Sequence, residues 1–134
     1  MIKKHLHTLL CISLILTLYS CEGETRTTWK LHNNSSQTVR VYPKFIFTQM
    51  AADTITIAPS TIIDIAINSQ LGGQSEPRNP AENIEEMIVF NSAGDTVQKD
   101  VFLQSNWSTK SNHRSRIPSA WDHEHTFTIL DSDL

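Results

Sequence analysis

Beyond residue 28, apolar and polar residues alternate with a period of two through most of the chain, and no window sustains an apolar period of 3.6. The pattern predicts short strands and little helix. Trp29 and Leu31, set against Thr28 and Lys30, open the first strand, and Asn33-Asn34-Ser35-Ser36 ends it as a turn cluster. Val39, Val41, Phe45 and Phe47 then share one face of a second run, with Arg40, Tyr42 and Lys44 on the other. Pro43 has no N–H for a ladder, which suggests an edge or a bulge there. Thr54 to Ile57 makes a third strand, stopped by Ala58-Pro59-Ser60, and Ile63, Ile65 and Ile67 mark a fourth. Glu86 to Phe90 is a fifth; Asn91 to Asp95 reads as a hairpin connection, with Thr96 to Leu103 as the return strand. His125 to Leu130 is the last. Residues 69–83, with Gly72, Gly73, Pro77 and Pro80, read as a long loop, 104–120 as a polar irregular segment, and 131–134 as a frayed tail.

About seven short strands in roughly 100 residues predict an all-β domain, an antiparallel β-sandwich burying one face of each sheet, with a small closed β-barrel as the alternative. The expected layout is a signal peptide over 1–20, a modified cysteine and short tether over 21–27, and one domain over 28–134.

The N-terminus changes the picture most. Lys3 and Lys4 precede an apolar run from Leu9 to Tyr19, the layout of a secretion signal. As a helix that run would rise about 16 Å, short of the roughly 30 Å hydrocarbon core of a bilayer. The tetrad Leu18-Tyr19-Ser20-Cys21 resembles the lipobox of bacterial lipoproteins, in which the signal is cut before a cysteine that carries a diacylglyceryl group. The resemblance implies lipidation of Cys21 and a place in the cell envelope, at the outer membrane. Two acyl chains make a stable anchor where one does not. A plain signal cut near Ser20 is the competing reading. The acidic Glu22-Gly23-Glu24 that follows resembles the surface-export tags of lipoproteins in Bacteroidota.

Loss of Lys3 and Lys4 with the signal leaves nine Lys/Arg against fourteen Asp/Glu, a formal net charge of −5. Dispersed charge of that sign offers no footprint for nucleic acid and no basic patch for anionic lipids. Cys11 leaves with the signal and Cys21 takes the lipid, so no thiol remains for a disulfide, a nucleophile or a metal site.

Several pieces together resemble the small uncharacterised lipoproteins of Bacteroidota. They are the lipobox, the opening Trp29-Lys30-Leu31-His32-Asn33-Asn34-Ser35-Ser36, the segment Ser111-Asn112-His113, and the closing His125-Thr126-Phe127-Thr128-Ile129 with Asp131 and Asp133. His125 stands where that group often has an aromatic. The resemblance implies an immunoglobulin-like sandwich and no particular activity.

The sharpest local cluster is Trp121-Asp122-His123-Glu124-His125. On a strand, His123 and His125 share one face and could chelate zinc or copper, with His113 from elsewhere as a third ligand; Asp122 and Glu124 would lie on the opposite face. The bland alternative is a polar loop running into a half-exposed strand, and no metal or other cofactor is expected. No Gly-x-Ser-x-Gly elbow is present, Glu85 and Glu86 point to opposite strand faces, and Gly72-Gly73 lacks the strand–turn–helix setting of a phosphate loop. The chain therefore reads as a non-enzyme with no catalytic residues. Trp107 and Trp121 are candidates either for a binding surface or for capping the sandwich. The expected role is a lipid-tethered interaction module for an envelope protein or glycan, with a structural subunit of an envelope complex as the alternative.

Overall fold

Seven strands form in the computed structural model, which describes residues 23–47 and 53–134. The signal segment, Cys21 and Glu22 lie outside the described residues, so the expected lipidation site does too. The strands are β1 (Glu24–Asn33), β2 (Val39–Phe45), β3 (Ile55–Ile57), β4 (Thr61–Leu71), β5 (Ile84–Phe90), β6 (Trp107–Arg116) and β7 (Ser119–Ile129). They make one sheet of four in the order β4-β1-β7-β6 and one of three in the order β3-β2-β5. The two open sheets stack as a β-sandwich, as the alternation predicts, and not as a closed barrel. The ladders are antiparallel except that β1 and β7, the two central strands of the larger sheet, run parallel.

Alternation becomes core on β1, β2 and β7. Trp29, Leu31, Val39, Val41, Phe127 and Ile129 point between the sheets and are at most 1% exposed. Trp29 lies at the centre, its ring 5.4 Å from Phe45, 5.3 Å from Phe47 and 5.8 Å from His125, with Nε1 donating to the Pro80 carbonyl at 3.0 Å. Pro43 sits inside β2, a central strand that pairs with β5 on one side and reaches β3 only through Val39 to Val41 on the other.

Five local expectations are corrected. The return strand expected at Thr96 to Leu103 is a single bridge, Phe90 to Thr96, after which the chain turns away and buries Val101. The sixth strand lies instead in the stretch expected to be irregular, at Trp107–Arg116, closing a hairpin with β7 through Ile117 and a cis Pro118. It has no apolar stripe because, past Trp107, this edge strand is almost wholly exposed. On β4 a bulge at Ile65 shifts the register, so Ile63 packs against the core while Ile67 points out and is 46% exposed. The chain also joins the sheet earlier than expected, since β1 starts at Glu24 and takes up residues 24–27 that read as tether.

The far tail is docked rather than frayed. The Asp131 carboxylate accepts the Ser36 N–H at 2.7 Å and its hydroxyl at 2.8 Å, which holds that carboxyl below its ordinary pKa. Lys99 reaches the Thr128 carbonyl and Asp133.

Candidate functional site

At the end where β1 begins, the inner face of the larger sheet turns polar. By register Thr25 and Thr27 on β1 face the same way as Asn68 and Gln70 on β4, and Trp121, His123 and His125 on β7 face the same way as His113, Ser111 and Thr109 on β6. The long connection after β4 folds over this area. Gly72, at φ 95°, turns the chain back, and the Thr25 hydroxyl donates to the Gly72 carbonyl at 2.6 Å while accepting the Gln74 N–H at 2.8 Å.

His123 and His125 share the inner face, as their spacing predicts, and are 2% and 1% exposed. The Gln74 carbonyl can only accept, so His123 Nε2, 2.9 Å away, carries a hydrogen. In the neutral ring Nδ1 then accepts from the Ser111 hydroxyl at 2.8 Å. Both nitrogens of His123 are thus committed to holding the loop and β6 against β7. His125 Nδ1 bonds the Thr109 hydroxyl at 2.9 Å, and its ring packs on Trp29. A cavity of about 20 Å³, room for a single water, lies beside it among Thr27, Asn68, Gln70, Gln74 and Arg78.

The other candidates fall elsewhere. His113 stacks on Trp121 at 4.3 Å and 21°, and Trp121 in turn lies 6.3 Å from the His123 ring at 14°. Asp122 and Glu124 point to the outer face, where Arg114 and Lys30 pair with them at 3.8 and 3.2 Å. Among the described residues no three His, Cys, Asp or Glu side chains are grouped to hold a metal ion. Trp107 is core: 7% exposed, against Phe127, with Nε1 donating to the Val101 carbonyl at 2.8 Å. Trp121 is half-buried, covered by its histidine neighbours. Glu85 pairs with Lys44 in the open. Sequence reasoning placed the two histidines together but could not supply their partners, which come from a strand without apolar alternation and from a loop 49 residues away.

Burial, reinforced by the neighbouring His123, pushes His125 down from 6.5 to about 4. The unfolded chain therefore binds this proton more tightly than the fold does. The stabilising contribution is whole above pH 6.5 and is lost as pH falls toward 4. The loss should be on the order of 3 kcal/mol. Urea denaturation of wild type and His125→Gln at pH 7 and 4.5 checks this. The wild type should lose much more stability between the two pH values than the variant does, and parallel losses would contradict the assignment.

Comparison with known families and curated proteins adds no relative: no family model matches the chain, and no curated protein matches it significantly.

Proposed function

We propose that the chain is a lipid-anchored protein of the cell envelope, held at the outer membrane by acyl chains on Cys21, and that its sandwich is a non-catalytic module binding another envelope protein. The location rests on the lipobox-like tetrad and on the likeness to small lipoproteins of Bacteroidota. The binding role is carried by one observation: Phe102 and Leu103, adjacent in the chain, are each 51% exposed. They lie on the connection 91–106, which leaves β5 opposite Arg40 and enters β6 opposite Phe127, at the end of the sandwich away from Gly23.

That connection is pinned beneath the pair. Val101 is buried, its carbonyl takes the Trp107 indole N–H, and the Asn106 amide donates to the Asp100 carbonyl at 2.7 Å. A rigid loop that presents an aromatic and an aliphatic side chain binds without a large ordering cost, and such side chains serve as anchors in protein interfaces. The same features favour a protein over a glycan, because Trp121, the half-buried tryptophan, is already stacked against histidines. A permanent structural subunit would use the same surface and differ in the lifetime of the complex.

Crosslinking and co-purification of detergent-solubilised full-length protein tests the role. Phe102→Ser/Leu103→Ser should cut recovery of the wild-type partner roughly ten-fold or more, the scale expected for truncating two anchors. Unchanged recovery would contradict it.

A further inference from the structure

The anchor and the fold are separated by very little chain. Only Glu22 lies between Cys21 and Gly23, so the two Cα atoms are at most about 7 Å apart. Gly23 is itself fixed. Its carbonyl accepts the Gly72 N–H at 2.7 Å, and a Cβ placed on it would overlap the Ser119 carbonyl oxygen. Glu24 then enters the sheet between Leu71 on β4 and Ala120 on β7. A lipid on Cys21 therefore brings this end of the sandwich to the bilayer.

The side chains at this end suit that position. Ile117, at the tip of the β6–β7 hairpin, is 85% exposed, and Leu71, at the end of β4, is 79% exposed; these are the two most exposed large hydrophobic side chains among the described residues. They flank Gly23 on its two sides. Arg116 is exposed beside Ile117, and Arg114 pairs with Glu24 at 2.6 Å. Apolar tips can enter the boundary between head groups and acyl chains, while a long cationic side chain keeps its charge at head-group level.

We propose that Leu71, Ile117 and Arg116, around Gly23, form a bilayer-contact surface that seats the domain on the membrane holding its anchor. The inference rests on the reading of Cys21 as lipid-bearing. Two apolar tips and one free arginine make a weak surface by themselves. The acyl chains supply the attachment, and the surface fixes how the domain stands. The connection carrying Phe102 and Leu103 then points away from the membrane, toward whatever approaches it.

The test uses the full-length, lipidated protein in vesicles of three parts phosphatidylcholine to one part phosphatidylglycerol, with nitroxide-bearing lipids as quenchers. Because Cys21 would be acylated and no other cysteine follows it, a single fluorophore can be placed through Leu71→Cys, Ile117→Cys or, at the opposite end, Ala93→Cys. Labels at 71 and 117 should shift to the blue and be quenched several-fold more strongly than the label at 93. Equal, weak quenching at all three sites, in protein whose Cys21 peptide carries the acyl mass and which floats with the vesicles, would overturn the seating surface and leave the anchor standing. A Cys21 peptide of unmodified mass would overturn the anchor, and the seating surface with it.

Discussion

Trp29→Ala should destabilise the domain by about 3–5 kcal/mol, the range for removing a buried tryptophan. Trp29 is 1% exposed and in ring contact with Phe45, Phe47 and His125. Truncation leaves a cavity between the sheets that neither backbone can collapse to fill. It also orphans the Pro80 carbonyl, which takes the indole N–H and ties the loop after β4 to the core. Against a total of about 5–15 kcal/mol for a domain of this kind, the loss removes much of the stability. Trp29→Phe keeps a ring and loses chiefly the hydrogen bond, so it should cost appreciably less. Urea denaturation of the three proteins gives the comparison, and a cost below about 1 kcal/mol for the alanine variant would show that Trp29 is not central to the packing.

Asn33→Ala should cost about 2–4 kcal/mol through polar rather than apolar loss. Asn33 is fully buried at the end of β1. Its Nδ2 donates to the carbonyls of Gln37, Ile57 and Ala58 at 2.7, 3.0 and 3.1 Å, and its Oδ1 accepts the Ser35 N–H and hydroxyl at 3.2 and 2.7 Å. One side chain thus closes the turn after β1 and binds it to the turn between β3 and β4, joining the two sheets. Alanine leaves several buried groups unpaired, each costing about 1–3 kcal/mol unless water enters. Asn33→Asp should be at least as damaging, since a carboxylate would face the Gln37, Ile57 and Ala58 carbonyls with nothing to donate. A stability equal to wild type for either variant would contradict this role.

Strands with one apolar face were legible in the sequence, and that was enough to place Val39, Val41, Phe127 and Ile129 in a sandwich core. Three kinds of feature were not. β6 left no alternation because it is an edge strand whose side chains past Trp107 are polar and mostly exposed, so no apolar stripe marks it. Period two also fails wherever a bulge intervenes, and the extra residue at Ile65 sent Ile67 outward although Ile63, Ile65 and Ile67 look equivalent in the chain. The hairpin-like turn at Asn91 to Asp95 suggested a return strand over Thr96 to Leu103 that the bridge at Thr96 does not continue.

For the candidate site, the shared face of His123 and His125 followed from strand geometry alone. Their commitment to Ser111, Gln74 and Thr109 depended on contacts distant in sequence. The asparagine turn after β1 was visible as a turn cluster, but nothing local marked Asn33 as the residue that crosses between sheets. Exposure of Phe102, Leu103, Leu71 and Ile117 was likewise beyond pattern reading, because an apolar residue in a loop or at a strand end looks the same whether it is covered or bare.

The central claim is that this sandwich is held to a membrane through Cys21. Labelling cells with an alkyne analogue of palmitate tests it most directly: the wild type should take up the label and Cys21→Ser should not. Label on the serine variant, or none on the wild type, would contradict the account.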